Sequence, residues 1–160
     1  MKIIIDNREQ KPFFQTFFKT DGQVRTSFGT MDAGDYTIEG LEDFIAIERK
    51  ASSGELYNNL AKKTMKDRFH REMGKLDTIQ RAYIVCEFPE SDLHIFPKNS
   101  GIPKSKQRYI KMSAKYFRKL IHEIKEGYNV EFVFCDNREH AEDVAYSLLK
   151  DAWNDYPDLP

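Results

Sequence analysis

Short apolar runs closed by charged and turn residues mark the first third of the chain. Residues 2–5 predict a first strand, and residues 23–40 predict two more, interrupted at Gly29 and Gly34. A fourth strand is predicted at residues 44–49. Because the connections are short, we expect these strands to be antiparallel neighbours in a meander.

The segments that follow change to helical spacing. Ser52 and Glu55 have the spacing of a capping box, in which each residue satisfies the free backbone N–H of the other, and the apolar residues after it predict a helix to about Leu76. Residues 81–88 are almost continuously apolar, which is typical of a strand buried on both faces. Residues 89–110, rich in Pro, Lys and Ser, predict a loop.

The last third alternates helix and strand. Residues 112–126 are amphipathic, with Tyr116 on the apolar face, and residues 130–135 predict another buried strand. Asp136 and Glu139 predict the cap of a last helix. Several strands followed by an α-β-α-β-α order favour an α/β sandwich around a mixed sheet.

Composition adds the class of protein and its compartment. With 160 residues, 40% of them hydrophobic and 32% charged, one well-solvated domain is expected. No apolar run approaches the ~18 residues of a membrane span, and no secretion signal is present. Cys86 and Cys135 each lie inside an apolar run, so we expect two buried, reduced thiols. These features predict a cytoplasmic protein, or one in an equivalent reducing compartment.

Charge is segregated along the chain although the net charge is only −1. Residues 93–122, here called the basic segment, contain no Asp or Glu. Its basic residues are Lys98, Lys104, Lys106, Arg108, Lys111, Lys115, Arg118 and Lys119. The last ten residues carry three Asp and no Lys or Arg. This asymmetry indicates an anionic partner for one face.

The stretch FIAIERKASSGEL, residues 44–56, ends an apolar strand with three consecutive charges. Side chains alternate along a strand, so Glu48 and Lys50 point to one face and Arg49 to the other. A carboxylate there can hold a divalent cation, and a lysine can balance the charge of a phosphate. Asp35 and Asp6 would join them if their strands are neighbours. On spacing alone, a solvated strand end and an ordinary turn aspartate remain an alternative.

Four motifs in order resemble the nuclease domain of the XPF family of structure-specific endonucleases: DNRE, AGDYTI, IERKASSGEL and RFHREMGKL. That family carries the motif GDxnERKxxxD on a restriction-endonuclease-like fold. The resemblance covers about residues 3–150. It implies an α/β/α sandwich around a central mixed β-sheet, with a nuclease domain at residues 1–155 and an acidic tail at 156–160.

The resemblance also implies roles for the charges. Asp35 and Glu48 would ligate Mg²⁺ or Mn²⁺, with Asp6 contributing directly or through water, and Lys50 would be the catalytic lysine. Two arginines would hold the carboxylates or contact the scissile phosphate; these are Arg8 and Arg49.

The chain departs from the family at one position of the motif. The last Asp of the motif falls four residues after the lysine, where this sequence has Gly54. Glu55, one place later, either substitutes for it or serves only the helix cap.

The basic residues indicate the substrate. Around the predicted start of the helix in the basic segment, phosphate contacts would give salt-dependent, sequence-independent affinity for DNA, and Tyr109 could stack on an exposed base. The candidates there are Lys104, Lys106, Arg108, Tyr109 and Lys111. A second basic surface consists of Lys62, Lys63, Lys66, Arg68 and Arg71. A solvated helix face is the alternative for both groups.

Together these features predict a metal-dependent DNA endonuclease that cleaves branched, flapped or otherwise structured DNA in repair or recombination. Because the sequence ends at residue 160, we expect a stand-alone nuclease without the helix-hairpin-helix module usual in the resembling family, either as a homodimer or with a partner subunit. The alternatives are a non-catalytic DNA-binding or scaffold subunit, and an exonuclease or junction resolvase of the same fold.

Overall fold

A mixed β-sheet runs through the centre of the chain. The structure is a computed structural model that describes residues 1–15 and 24–156. The strands are β1 (Lys2–Asp6), β2 (Arg25–Gly29), β3 (Tyr36–Ile38), β4 (Ile45–Lys50), β5 (Arg81–Cys86) and β6 (Glu131–Phe134). In the described part of the chain they form one six-stranded sheet in the order β2-β1-β3-β4-β5-β6.

Helices cover both faces of this sheet. They are α1 (Ser53–Ala61), α2 (Lys63–Leu76), α3 (Ser91–His94), α4 (Lys104–Gln107), α5 (Ala114–Gly127) and α6 (Arg138–Asp155). Apolar side chains of α1, α2 and α5 form a core with one face, here called the front. Alanines and a leucine of α6 form a second core with the opposite face, the back. The predicted α/β/α sandwich around a mixed sheet is therefore confirmed.

The first strands do not form the predicted meander. β1 pairs in parallel with β2 and antiparallel with β3, so β1 lies between them. Residues 7–24 connect β1 to β2, which is long enough for a parallel return. The antiparallel expectation is confirmed for β1 with β3 and for β3 with β4.

The side chains of β4 alternate between the two cores. Ala46 belongs to the front core, whereas Ile45 and Ile47 belong to the back core. Because the period of a strand is two, Glu48 and Lys50 continue the front series at the end of β4.

Two predictions about helix extent were wrong. The predicted helix to Leu76 is divided into α1 and α2, because Lys62 has an extended backbone with φ −114° and ψ 142°. The apolar spacing continues across this break, so periodicity did not reveal it. The predicted loop at residues 89–110 contains the short helices α3 and α4.

Two predicted caps differ in one partner each. Ser52 Oγ accepts from Glu55 N–H at 3.1 Å as expected, but the Glu55 carboxylate accepts from the N–H of Ala51 at 2.7 Å and not from that of Ser52. Asn137, not Asp136, caps α6.

On α5 the apolar stripe is shifted by one residue. Phe117 is buried, whereas Tyr116 is 48% exposed.

Both cysteines are free and buried as predicted. In residues 1–15 and 24–156 no helix is long and apolar enough to cross a membrane. Tyr156, at the start of the predicted acidic tail, packs on Phe44 with ring centroids 5.2 Å apart. Residues 157–160 of that tail, and residue 23 of the predicted strand region, lie outside the described residues.

Candidate active site

The charged residues predicted from the strand ends meet in one cavity on the front face. Its volume is about 320 Å³, and we call it the front cavity. β1 ends at Asp6, β3 follows Asp35, and β4 ends with Glu48 and Lys50. The lining comprises Asp6, Arg8, Gly34, Asp35, Glu48, Lys50, Asn59, Met65, Arg68, Phe69 and Glu72.

A glycine brings Asp35 close to β4. Gly34 has φ +76°, and a Cβ there would lie 3.1 Å from the backbone oxygen of Ile47. The next residue then pairs closely, since Asp35 N–H donates to the Ile47 oxygen at 2.7 Å. The Asp35 carboxylate accepts from the N–H of Arg49 at 2.7 Å.

Lys50 is a buried ammonium among carboxylates. Its side chain is 6% exposed, and its Nζ lies 3.3 Å from Glu48 Oε1 and 3.9 Å from Glu55 Oε1. The ring of Phe69 lies beneath it, with its centroid 5.5 Å away. Burial by itself lowers the pKa of Lys50, but attraction to Glu48, Glu55 and Asp35 outweighs it and the pKa is raised. Lys50 therefore stays positively charged.

The two central carboxylates repel each other in a poorly hydrated place. Burial, followed by the charges of Glu48 and Glu9, raises the pKa of Asp35 to about 8. Burial also raises the pKa of Glu48, although Lys50 acts in the opposite direction. A bound cation would relieve this repulsion.

Asp6 already has hydrogen-bond partners on both oxygens. Oδ1 accepts from Arg8 N–H and Nε–H, while Oδ2 accepts from Arg8 Nη2–H and from the N–H of Met31. Burial works to raise the pKa of Asp6, but these hydrogen bonds lower it. Asp6 and its arginine thus form a closed ion pair at one side of the cavity.

Arg49 lies on the back face, where its guanidinium does not line the front cavity. It donates to Glu9 Oε2 at 2.7 Å and to Glu87 Oε2 at 2.6 Å, and these three side chains are each at most 10% exposed. Tyr36 Oη also donates to Glu9, at 2.6 Å. We call Arg49, Glu9 and Glu87 the back-face cluster. It holds the end of β4 against the turn that follows β1.

Two polar lining residues were missed by the sequence reasoning, Asn59 and Glu72. Glu72 follows Arg68 by four residues, which places both on the same side of α2; this spacing was the available signal. Asn59 gives no such signal, but its Oδ1 is buried without a hydrogen-bond partner in the structure. The α1–α2 pair thus supplies the wall opposite the strand ends.

The donor set fits a hard divalent cation. Such ions take oxygen ligands, and Mg²⁺ commonly uses one or two protein carboxylates with waters and substrate phosphates. Asp35 and Glu48 are two such carboxylates, and the unpartnered amide oxygen of Asn59 adds a neutral donor. Among residues 1–15 and 24–156 no cluster of three or more His, Cys, Asp or Glu side chains is arranged to hold a metal.

The predicted DNA-binding residues of the basic segment lie outside the cavity lining. All five residues from α4 and the turn after it are exposed: Lys104, Lys106, Arg108, Tyr109 and Lys111. The guanidinium of Arg108 lies 4.9 Å from the centre of the Tyr109 ring. Tyr109 is 70% exposed. By contrast, Arg68 lines the front cavity.

A larger cavity of about 720 Å³ lies alongside, between α2 and the front face of β1 and β3. Ile4, Thr37 and Ile79 line it, with Arg71 and Lys75 from α2. It lacks the carboxylate–lysine pair of the front cavity.

An α/β/α sandwich around a mixed sheet, with carboxylates and a lysine at the ends of its central strands, is consistent with the restriction-endonuclease-like fold. The sequence model of the ERCC4 domain family matches residues 5–148. The chain belongs to the ERCC4 domain family.

Solved structures agree on the fold. XPF from Aeropyrum pernix superposes with a TM-score of 0.67 at 18% identity, over 99% of this chain and 68% of that one. XPF from Aeropyrum pernix in complex with DNA gives 0.63 at 18% identity, over 96% of this chain and 65% of that one. The chain therefore spans about two thirds of the length of those proteins. No curated protein matches the sequence.

Proposed function

We propose that this domain is a metal-dependent DNA endonuclease that hydrolyses phosphodiester bonds in branched, flapped or otherwise structured DNA. One observation carries the proposal. Asp35, Glu48 and Lys50, from the ends of adjacent strands, share a single cavity in which the carboxylates repel each other and the lysine stays charged. A non-catalytic scaffold has no need of such an arrangement.

The residues divide the chemistry among them. In hydrolysis a water oxygen bonds to phosphorus, the bond to the leaving oxygen breaks, and a proton passes from the water to that oxygen. Asp35 and Glu48 would hold Mg²⁺ or Mn²⁺, which would supply an activated water and neutralise phosphate charge. Lys50 supplies a fixed positive charge where negative charge grows on the phosphoryl group.

Two other groups support the central three. Asp6, whose oxygens are occupied by Arg8 and Met31, would act through water rather than by direct ligation. Arg68, on the exposed side of the cavity, would hold the phosphate of the incoming strand.

The proposal that the substrate is DNA rests on the family resemblance and on the charge of the basic segment. The motifs of the chain resemble those of a family of DNA endonucleases, and a similar solved structure is of XPF in complex with DNA. The basic segment offers exposed lysines and arginines without an acidic residue among them. Contacts of this kind recognise the phosphate backbone, so DNA shape rather than sequence would direct cleavage.

The test is incision of labelled flap, fork, four-way, circular and plain duplex DNA with Mg²⁺, with Mn²⁺ and with chelator. Asp35→Ala and Lys50→Ala should abolish incision. Asp32→Ala, an exposed aspartate in the same loop, and Lys2→Ala, at the opposite end of β1, are the matched controls and should leave it unchanged.

The outcomes separate the alternatives. Metal-dependent cuts beside a junction support the proposal. Digestion from free ends only indicates an exonuclease, and symmetrical cuts restricted to the four-way substrate indicate a resolvase. DNA binding without incision in any metal would favour the scaffold subunit.

A further inference from the structure

The start of α1, a few residues after Lys50, makes a close contact with the basic segment. Gly54 N–H donates to the backbone oxygen of Ser100 at 3.0 Å. A Cβ on Gly54 would lie 2.4 Å from that oxygen and 2.9 Å from Cγ1 of Ile102. Atoms cannot approach so closely, and the nearer one is backbone, which has little room to move. Only glycine at position 54 lets the two segments meet.

The contact extends through hydrogen bonds into α4. Ser100, which is 1% exposed, accepts through Oγ from the N–H of Ile102 at 3.2 Å. Gln107 Nε2 donates to the Ile102 oxygen at 2.8 Å. The position of α4, and with it the position of Lys104 and Lys106, is therefore tied to the contact at Gly54.

Aromatic rings fix the segment at a second place. Phe96 lies with its centroid 5.0 Å from that of Tyr57 on α1 and 4.7 Å from that of Phe117 on α5. Lys104 and Lys106, which are exposed, follow both of these contacts along the chain. The basic segment is thus held to α1 at two places just before its exposed lysines.

The contact between Gly54 and Ser100, here called the seat, lies next to Lys50, the proposed catalytic lysine. Gly54 precedes Glu55, whose carboxylate is 3.9 Å from Lys50 Nζ. The same position is the one at which the GDxnERKxxxD motif carries Asp. Here the Ser100 carbonyl occupies the space that such a side chain would need.

We propose that the basic segment is a phosphate-binding arm, seated at Gly54, which holds the DNA strand where it leaves the Lys50 end of the front cavity. The identity of the ligand as DNA rests on the proposed function. The exposed lysines Lys104 and Lys106 contact phosphates, and Tyr109 offers its exposed ring to a base.

The first experiment measures binding without incision. Anisotropy of labelled fork DNA in chelator, over a series of salt concentrations, compares the unmodified protein with Gly54→Ala. Gly74→Ala is the matched control, because a Cβ at Gly74 in α2 meets nothing within 4 Å. We expect Gly54→Ala to weaken binding about 10-fold and to make the slope of log affinity against log salt shallower by about 2. Gly74→Ala should bind like the unmodified protein.

A double-mutant cycle shows whether the seat acts through the lysines. Lys104→Ala combined with Lys106→Ala should weaken binding by a similar factor. Both side chains are exposed, so this double variant should fold like the unmodified protein. Adding Gly54→Ala to that pair should cause little further loss, because the displaced arm no longer brings the lysines to the DNA. Losses that simply multiply would overturn the proposal.

If circular dichroism shows that the Gly54→Ala protein does not fold, a second variant tests the phosphate-binding arm. Ile102→Ala removes packing at the seat without introducing a clash, and it should weaken binding several-fold with the same loss of salt dependence. Unchanged affinity in that variant would refute the arm.

The experiments can refute the proposed phosphate-binding arm and the proposed nuclease activity separately. Incision by a Gly54→Ala protein with full DNA affinity would overturn the arm alone. A protein that never incises but binds DNA through Lys104 and Lys106 would overturn the nuclease alone.

Discussion

The repulsion between Asp35 and Glu48 makes a stability prediction that needs no DNA. Asp35→Asn keeps the size of the side chain and an oxygen that can accept from the N–H of Arg49. It removes the carboxylate that shares the front cavity. We expect the variant to unfold at higher denaturant concentration than the unmodified protein at pH 8 in chelator, and the difference to be clearly smaller at pH 5.

The magnitude follows from the pKa of Asp35. It is about 8 in the folded protein, against ~3.9 for an unperturbed aspartate. Between these values the folded state binds more protons than the unfolded state, so stability is fully present below about pH 4 and falls as the pH rises through about 8. From pH 5 to pH 8 the linkage gives at most about 4 kcal/mol. Relaxation and water entry at this partly buried site reduce that to roughly 2 kcal/mol.

The assay is urea unfolding followed by the fluorescence of Trp153, the sole tryptophan of the sequence, at pH 5, 6, 7 and 8. Asp32→Asn is the control, because it removes an exposed charge from the same loop. Mg²⁺ or Mn²⁺ at pH 8 should stabilise the unmodified protein and not Asp35→Asn. A difference between the two proteins that stays constant from pH 5 to pH 8 would refute the reasoning.

Three further predictions concern the rest of the fold. Arg49→Ala should lower the free energy of unfolding by about 3 kcal/mol, since Glu9 and Glu87 are left buried without their cation; urea unfolding measures it, and a loss below 1 kcal/mol would show that the back-face cluster does not hold β4. Asn137→Ala should lower the free energy by about 1 kcal/mol through loss of the α6 cap, while Asn137→Asp, which keeps an acceptor, should lose little. Cys86 should react with a thiol reagent only after denaturant is added, because burial raises its pKa; modification in buffer alone would contradict this burial.

The front cavity was largely predictable because its residues are local to strand ends. Period-two alternation placed Glu48 and Lys50 together and Arg49 on the other face, and the structure has this arrangement. The convergence of Asp6 and Asp35 needed one further condition, that β1 and β3 are neighbours, and Ile5 pairs with Tyr36. Short-range sequence patterns and the pairing of β1 with β3 were therefore sufficient to predict which charged side chains meet in the front cavity.

The partners of Arg49 were not predictable, because they are distant in sequence. Glu9 and Glu87 lie 40 and 38 residues away, and no local sequence pattern distinguishes these buried glutamates from those at the surface. The parallel pairing of β1 with β2 was also missed, although residues 7–24 between these strands are long enough for a parallel return. The contact of Gly54 with Ser100 also joins residues that only the fold brings together.

The two faces of β4 explain how an unfavourable arrangement of charges persists at its end. On the front, Asp35 and Glu48 stand close in a cavity that raises the pKa of both. On the back, Arg49 pairs with two buried carboxylates while its own N–H holds Asp35. One residue therefore anchors the strand on one face and fixes a carboxylate on the other. Repelling groups stay in place only where the surrounding structure over-determines their positions, and the back-face cluster supplies that constraint. Its loss should therefore lower metal affinity at the front cavity as well as stability.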